Sequence, residues 1–260
     1  MKASAARVLL TGASGGIGKA MAKALQKAGA AVMGVGRGEL APLDMDWVQA
    51  DLNSDDGPPS VAKAAAAWRA NVLVHAAGVP SFGPLHSVSP AQMQQVLQAN
   101  LLAPMRLTQA MLPQLLGQPH AQVVFVGSAL GRIGLPGFSV YGASKAGLHG
   151  FAEALRRELA DTGVRVQILG PRSTRTGFNG AAVEAYNRAT GTAMDKPDAV
   201  AMALLKLIES EAAERFLGFP ERLAVRLNGV LGARLDGSFV KHRRHLPATD
   251  PIPVTPGSSS

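Results

Sequence analysis

The stretch VLLTGASGGIG, Val8–Gly18, decides the fold of this chain. It joins a short apolar run to a glycine-rich turn and then to a segment with helical periodicity. Glycine in such a turn lets the chain reverse tightly, lets the backbone approach a pyrophosphate and lets the helix pack closely on a sheet. The amides at the start of a helix also attract an anion. The stretch therefore predicts a phosphate-binding turn between a first strand and a first helix.

Beyond this turn, short apolar runs alternate with longer helical patterns. The predicted strands are Arg7–Leu10, Ala31–Val35, Trp47–Ala50, Val72–His75, Gln122–Val126, Val164–Leu169 and Arg215–Phe219. The predicted helices are Gly16–Ala28, Ser60–Ala70, Pro90–Leu116 and Ser139–Ala160. This alternation favours a parallel sheet with helices on both faces, joined by right-handed crossovers. The predicted fold class is a single-domain α/β protein with a doubly wound, Rossmann-type parallel sheet of about seven strands.

Length and composition limit the functions that remain. The chain has 260 residues, no cysteine and a formal net charge of +8. A chain of this length suits one large domain, and without cysteine it has no disulfide, thiolate nucleophile or cysteine-ligated zinc. We predict no metal site. The chain shows no signal peptide, no apolar run of membrane-spanning length and no nucleic-acid-binding motif, so we expect a cytoplasmic protein without a nucleic-acid partner.

A second set of residues carries acid–base chemistry. Tyr141 and Lys145, in the stretch YGASK, are four residues apart and so share one face of a predicted helix. An ammonium beside a phenol favours the phenolate, so we expect the pKa of Tyr141 to lie below its usual value of about 10. Ser128 follows the fifth strand, where its hydroxyl can hold a substrate oxygen. Asn100 lies in a long helical stretch, where its amide can hold a water that links Lys145 to solvent.

Each of these residues also has a structural explanation. A tyrosine and a lysine at helical spacing are often surface neighbours. A serine after a strand is often a helix cap, and an asparagine within a helix can simply be solvated. The order of the motifs along the chain favours a functional explanation over these structural ones. The turn, Asn100, Ser128 and the Tyr-x-x-x-Lys pair occur in the order found in the short-chain dehydrogenase/reductase family, and the chain resembles that family over roughly residues 5–220.

The resemblance implies an oxidoreductase that interconverts a carbonyl and an alcohol with a nicotinamide cofactor. It also implies that Asn100, Ser128, Tyr141 and Lys145 form the catalytic tetrad, and that the protein is a homodimer or homotetramer. The expected cofactor-binding residues are Gly12, Ser14, Gly16, Ile17, Gly18, Arg37, Asp51, Leu52, His75, Ala77, Gly78, Tyr141, Lys145, Pro171, Thr174 and Thr176.

The end of the second strand favours NADP(H) over NAD(H). Family members specific for NAD carry an aspartate where this chain has Gly36, and Arg37 follows it. An arginine fork suits a phosphate, and the missing carboxylate removes a repulsion against that phosphate. Ser14 is expected to add a phosphate contact, and Asp51 with Leu52 matches the adenine position. The alternative is that Arg37 is only a solvated side chain.

Two departures from the family pattern lie near this site. HAAG, His75–Gly78, replaces the usual Asn-Asn-Ala-Gly, and we interpret His75 as structural or ribose-contacting rather than catalytic. GPRSTRT, Gly170–Thr176, replaces the usual Pro-Gly. Thr174 and Thr176 are expected to bind the nicotinamide carboxamide and the pyrophosphate. Arg172 and Arg175 either meet an anionic substrate or phosphate or lie in solvent.

The C-terminal part also departs from the family. We divide the chain into a catalytic domain at 1–220, with a substrate-covering segment at about 178–196, a basic amphipathic extension at 221–250 and a disordered tail at 251–260. Leu223, Leu227, Leu231, Leu235 and Phe239 recur four apart in the extension, among the basic residues Arg222, Arg226, Arg234, Lys241, Arg243 and Arg244. Such a segment is either a lid or dimer contact, or a peripheral membrane contact through residues 221–246.

The predicted substrate is a hydrophobic carbonyl or alcohol. Phe178, Val183, Tyr186 and Met194 in the covering segment suggest an apolar pocket. A hydrophobic ketone, a 3-oxoacyl thioester or a lipid-like alcohol fits this interpretation. Two other classes stay open at this point: a non-catalytic NADP-binding regulatory protein, and a peripheral membrane protein on the same fold.

Overall fold

The computed structural model describes residues 1–218, 225, 228, 229 and 231–248. Several sequence predictions fall outside these residues: the last residue of the predicted seventh strand, Phe219, part of the leucine row with Leu223 and Leu227, the basic residues Arg222 and Arg226, and the tail at 251–260.

Strands and helices alternate along the described chain. The strands are β1 Arg7–Thr11, β2 Ala31–Gly36, β3 Asp46–Gln49, β4 Val72–His75, β5 Ala121–Val126, β6 Val164–Gly170 and β7 Glu214–Phe216. The helices are α1 Gly16–Lys27, α2 Gly57–Ala67, α3 Pro90–Leu97, α4 Ala103–Leu116, α5 Ser139–Glu158, α6 Ala181–Thr190, α7 Pro197–Ser210 and α8 Val240–Arg244. Short 3₁₀ segments include Ala129–Gly131 and Gly232–Phe239. The predicted α/β class is confirmed.

All seven strands are parallel, in the order β3-β2-β1-β4-β5-β6-β7. The chain leaves β1 in one direction to form β2 and β3, and it returns on the other side of β1 to form β4. This reversal of winding opens a crevice at the carboxyl ends of β1 and β4, where ligands bind in such sheets. The Val8–Gly18 stretch forms one wall of that crevice.

Two apolar layers cover the sheet. The layer that includes α1 and α7 contains Leu10, Met21 and Leu204, whereas the opposite layer contains Leu107, Phe125 and Leu148. Both faces of the central strands are therefore buried, which explains why these strands are near-continuous apolar runs in the sequence.

The predicted helical stretch Pro90–Leu116 is confirmed, but it contains a turn that is wider than an α-helix. A turn of π-helix, Gln98–Leu102, separates α3 from α4. Pro104 has no amide hydrogen, so it cannot donate the usual helical hydrogen bond to the carbonyl oxygen of Asn100, four residues earlier. The widened turn places Asn100 in the interior, fully buried.

Other boundaries differ for local reasons. α2 begins at Gly57 rather than Ser60 because Pro58 and Pro59 fit a first helical turn, and it ends at Ala67, before Arg69 with its positive φ of 59°. β7 is only Glu214–Phe216. Within the described residues, no helix combines the length and apolar character needed to cross a bilayer.

Candidate active site

A cavity of about 1180 Å³ lies at the carboxyl ends of the central strands. All sixteen predicted cofactor-binding residues line it, together with Ser128. Asn100 is the exception among the predicted site residues, because it lies behind the cavity wall while its neighbour Ala99 lines the cavity.

The glycine-rich turn is packed so closely that side chains are excluded from it. Gly12 has a φ of +68°, and a Cβ there would lie 2.7 Å from the backbone of Ala77. A Cβ on Gly18 would lie 2.0 Å from the carbonyl oxygen of Gly12, and one on Gly16 would lie 2.7 Å from Thr176. The open backbone surface and the start of α1 therefore form a cradle whose size and amide donors fit a dinucleotide pyrophosphate.

Thr11 joins this turn to the neighbouring strand. Its Oγ1 accepts hydrogen bonds from the amides of Ala76 and Ala77, at 3.1 and 3.2 Å. The loop after β4 is thus fixed to the end of β1 across the crevice. The sequence analysis did not assign this role, although a threonine as the last residue of a buried strand is a usable signal.

Tyr141 and Ser128 meet at the cavity wall. Their side chains are hydrogen-bonded, and the Ser128 Oγ also accepts the amide of Leu130 at 3.1 Å. Burial raises the pKa of Tyr141 to about 12, and the hydrogen bond from Ser128 opposes this only in part. The expectation of a pKa below 10 is therefore wrong for this structure, because loss of hydration outweighs the other influences on the phenol.

Lys145 lies one helical turn further along α5. Its Nζ donates to the carbonyl oxygen of Val126 at 3.0 Å and lies 5.8 Å from the centre of the Tyr141 ring. Burial lowers the pKa of Lys145 to about 8. The ammonium is thus oriented by β5 and stands beside the phenol without touching its oxygen in this structure.

Asn100 connects the π-helical turn between α3 and α4 to α5. Its Oδ1 accepts the amide of Val79 at 2.8 Å, while its Nδ2 donates to the Val79 carbonyl at 3.0 Å and to Ser144 Oγ at 3.1 Å. Both amide hydrogens are therefore used within the protein, so a water can contact this side chain only as a donor to Oδ1, and the expectation that it holds a relay water stays a prediction. The main-chain carbonyl of Asn100 cannot accept the usual α-helical hydrogen bond from residue 104, because Pro104 has no amide hydrogen.

His75 is a structural residue. Its Nε2 is 2.8 Å from Thr108 Oγ1, and its ring stacks on Phe125 with centroids 4.9 Å apart. Burial, with a smaller contribution from the Lys145 charge, lowers the pKa of His75 to about 3, so the ring is neutral near pH 7. This supports the structural interpretation over an acid–base role.

The loop after β6 is held by an ion pair. Arg172 donates from Nε and Nη2 to Asp195 Oδ1 at 3.0 and 2.9 Å. Arg172 therefore bonds a protein carboxylate, which neither of the two predicted alternatives anticipated, whereas Arg175 is exposed. Thr174 is buried against this loop, and Thr176 packs against Gly16 of the turn.

The end of β2 forms the far wall of the cavity. Arg37 is exposed at its edge, and Ser14 lies nearby in the turn. Asp51 accepts the amide of Asn53 with Oδ1 at 3.0 Å, and Leu52 packs on the apolar core. These positions are compatible with the predicted adenosine contacts, which stay predictions.

Apolar side chains close the opposite end. The cavity there is lined by Ile133, Leu135, Phe138, Val183, Leu235 and Phe239. Phe178 lines the cavity and contacts the Tyr141 ring edge-on at 6.1 Å, whereas Met194 lies outside the cavity lining. Tyr186 packs against Phe82 and Phe138.

The described part of the C-terminal extension packs over this apolar end. The Nδ1 of His242 is 2.8 Å from the Tyr186 hydroxyl, and Lys241 Nζ donates to the Thr190 carbonyl at 3.0 Å. Leu235, Phe239 and His242 line the cavity. Arg234, Lys241, Arg243 and Arg244 are exposed on the outside.

Comparisons with known proteins agree with this geometry. The sequence model described as short chain dehydrogenase matches residues 6–187. The chain is 34% identical over 179 residues to the uncharacterized oxidoreductase YbbO of Escherichia coli, covering 66% of each chain. This is slightly less than two thirds of that relative's length.

Two further proteins carry more specific descriptions. The 3-oxoacyl-acyl-carrier-protein reductase FabG of Escherichia coli is 33% identical over 174 residues, which cover 63% of this chain and 71% of FabG. The crystal structure of a short chain dehydrogenase from Burkholderia cenocepacia in complex with NADP is 27% identical, with a TM-score of 0.74, and covers 85% of this chain and 100% of that one.

Proposed function

Because this chain belongs to the short chain dehydrogenase family, we propose that it is an NADP(H)-dependent oxidoreductase that interconverts a carbonyl and a secondary alcohol. The observation that carries this proposal is the hydrogen bond between Ser128 and Tyr141 beside the buried Lys145, on the wall of a cavity that begins at the glycine-rich turn. A neutral phenol, a second hydroxyl and an ammonium are the groups that polarise and protonate a carbonyl oxygen.

Tyr141 and Ser128 act on the substrate oxygen. When bound, NADPH supplies the hydride that reduces the carbonyl carbon. The two hydroxyls hold the carbonyl oxygen, and Tyr141 transfers its proton to that oxygen as negative charge develops there. The raised pKa of Tyr141, about 12, keeps the phenol protonated near pH 7, as a proton donor requires. In the oxidation direction Tyr141 receives the proton instead.

Lys145 supports the proton transfer. Its positive charge stabilises the tyrosinate that remains after transfer, and one of its hydrogens is fixed on Val126. The other donors are directed by this contact toward the cavity, where a cofactor ribose would lie. We propose that a water on the carbonyl of Asn100 returns a proton through Lys145 to Tyr141.

NADP(H) rather than NAD(H) is supported by the end of β2. No carboxylate stands at Gly36, and the exposed Arg37 offers a phosphate a planar fork of donors at the edge of the cavity. The similarity to a Burkholderia cenocepacia structure in complex with NADP agrees with this choice.

We propose that the substrate is hydrophobic or lipid-like, and that 3-oxoacyl compounds are among the candidates. The apolar end of the cavity, with Leu135, Phe138 and Val183, supports this class. The similarity to FabG, described as a 3-oxoacyl-acyl-carrier-protein reductase, agrees with it. The size of the cavity leaves room for an acyl chain beside a dinucleotide.

We propose that the C-terminal extension acts as a lid over the substrate. This is supported by Leu235 and Phe239, which line the cavity, and by the bond between His242 and Tyr186, which connects the segment to α6. Flotation with anionic liposomes tests the alternative that the extension contacts a membrane. If the extension acts only as a lid, we expect the protein not to bind the liposomes.

Self-association of the protein stays a prediction, which follows from its membership of the family. Leu97, Leu102 and Leu116 are exposed along α3, the π turn and α4, and they supply an apolar surface for a second copy of the chain. Sedimentation velocity distinguishes a monomer from the predicted homodimer or homotetramer.

An activity screen tests the main proposal. Purified protein is assayed with NADPH and with NADH against simple ketones, hydrophobic ketones and 3-oxoacyl thioesters. We expect oxidation of NADPH with the hydrophobic carbonyls. A clear preference for NADH would contradict the role of Arg37, and cofactor binding without turnover across the panel would favour the regulatory alternative.

A further inference from the structure

The two glycines near the end of β2 form a groove. Gly34 and Gly36 are two residues apart in a strand, so their missing side chains would point to the same face of the sheet. β3 pairs with this strand, with Trp47 opposite Gly34 and Gln49 opposite Gly36. The only tryptophan on β3 therefore lies beside the two smallest residues of β2.

The indole of Trp47 fills this groove. A Cβ on Gly34 would lie 2.7 Å from Cε3 and Cζ3 of the ring, and a Cβ on Gly36 would lie 2.7 Å from Cη2. The same Gly36 Cβ would be 3.7 Å from Ser14 Oγ in the phosphate-binding turn. A side chain at position 36 would thus enter the space between the indole and that turn, and the indole already occupies most of it.

Hydrogen bonds hold the ring and the loop that carries Arg37. Trp47 Nε1 donates to the carbonyl of Gly38 at 2.8 Å, and Gln49 Nε2 donates to the carbonyl of Arg37 at 3.1 Å. Two side chains of β3 therefore hold the successive carbonyl groups of Arg37 and Gly38. Moving the indole out of the groove would break the first of these bonds.

From this packing we propose that Trp47 is a specificity-determining residue for the cofactor. Its indole excludes a side chain at position 36, the position from which a carboxylate would hold the ribose hydroxyls of NAD(H), and its bond to Gly38 positions Arg37 for a phosphate. This inference rests on the proposed NADP(H)-dependent function. It predicts that position 36 alone cannot convert the enzyme to NADH.

The steric part is tested by thermal unfolding, without any cofactor. We compare the wild type, G36A, W47V and G36A/W47V. We expect G36A to lower Tm by about 3 °C or more in the wild type and by much less when residue 47 is valine. G38A is the matched control, because a Cβ at Gly38 meets nothing within 4 Å, and its Tm should stay near that of the wild type. Equal losses from G36A in both backgrounds would overturn the proposal.

The specificity part is tested by the dissociation constants of NADPH and NADH for G36D and G36D/W47V. G36D alone should lose NADPH affinity at least tenfold and gain no NADH affinity. The double variant should bind NADH at least tenfold more tightly than G36D does. If G36D alone already binds NADH as tightly as the double variant, this inference fails while the proposed function stands. A wild type that prefers NADH would instead overturn the NADP(H) assignment, and this inference with it.

Discussion

The side-chain amide of Asn100 donates a hydrogen bond to the Ser144 hydroxyl at 3.1 Å, with both residues fully buried. Ser144 precedes Lys145, and its hydroxyl donates in turn to the Tyr141 carbonyl at 2.7 Å. The widened turn between α3 and α4 is thereby connected to the part of α5 that carries the phenol and the ammonium. Asn100 thus supports the segment with Tyr141 and Lys145 from behind the cavity wall.

We expect N100A to destabilise the protein by about 2–4 kcal/mol, because it leaves both backbone groups of Val79 without their partner. S144A removes a smaller share of the network and should cost about 1–2 kcal/mol. Urea unfolding measures both, with the exposed Gln94 changed to alanine as the control. Since the two residues share a hydrogen bond, the double variant should lose less than the sum. Strict additivity would contradict the shared network.

Y141F should remove nearly all turnover, by about a thousandfold or more, since a phenyl ring has no proton to transfer. NADPH affinity should change little. The chain has only two tyrosines, so Y186F is the matched control. It loses the bond to His242 but keeps the catalytic phenol, and we expect it to retain most of kcat. Steady-state kinetics and NADPH fluorescence check both variants, and substantial activity in Y141F would refute the assignment.

As the pH rises from 8 to 10, we expect the titration of Lys145 to lower kcat/KM and to raise the free energy of unfolding. Its pKa is about 8 in the folded protein, against a usual value of 10.5. Between pH 8 and pH 10.5, Lys145 binds more protons in the unfolded chain than in the folded protein. The contribution of Lys145 to the free energy of unfolding therefore rises as the pH rises from 8 to 10. Over the same range the cation is lost and kcat/KM should fall. Above pH 10, Tyr141 opposes this rise in the free energy of unfolding. Its phenol ionises at a lower pH in the unfolded chain than in the folded protein, where its pKa is about 12.

The comparison of K145M with the wild type isolates this effect. The variant should lose most activity at every pH and should lack the rise of Tm between pH 8 and 10. The exposed Lys63, changed to methionine, is the control and should keep both profiles. An unchanged Tm profile in K145M would show that another group titrates in this window.

G12A should weaken NADPH binding and destabilise the protein by about 1–3 kcal/mol, because alanine is strained at a φ of +68° and its methyl group would lie 2.7 Å from Ala77. Gly150 in α5 is the control position with free space, since a Cβ there meets nothing within 4 Å. G150A should stabilise the protein by about 0.5–1 kcal/mol through helix propensity. Calorimetry and cofactor titration measure both. If G12A and G150A changed the free energy of unfolding equally, the close approach of Gly12 to Ala77 would be refuted.

F239A tests the proposed lid. It should raise KM for a long hydrophobic carbonyl about tenfold while leaving kcat for a small ketone nearly unchanged, because Phe239 lines only the distal end of the cavity. V240A is the control, since Val240 is 37% exposed and is not among the residues that line the cavity. The same loss for both ketones would mean that the segment supports the fold rather than the substrate.

Local sequence signals predicted most of the sheet and the residues that line the cavity. Strands such as β4 and β5 are apolar except for His75 and Gln122 because both faces are buried. Gly18 is required for a steric reason that acts within the turn itself, since a Cβ there would meet Gly12. The four-residue spacing of Tyr141 and Lys145 follows from helical geometry alone. The predicted stretch Pro90–Leu116 is helical throughout, but its π-helical turn at Gln98–Leu102 was not predicted, although Pro104 carried a signal for it.

The sequence by itself determined the alternation of strands and helices, the glycine-rich turn between β1 and α1 and the helical spacing of Tyr141 and Lys145, because each depends on neighbours within one or two turns of the chain. Only the tertiary structure decided the pKa of Tyr141, the partners of Asn100 and Arg172, the indole of Trp47 over Gly36, and the extension over the cavity. These depend on burial and on contacts between residues distant in the chain, whose distances no local pattern encodes.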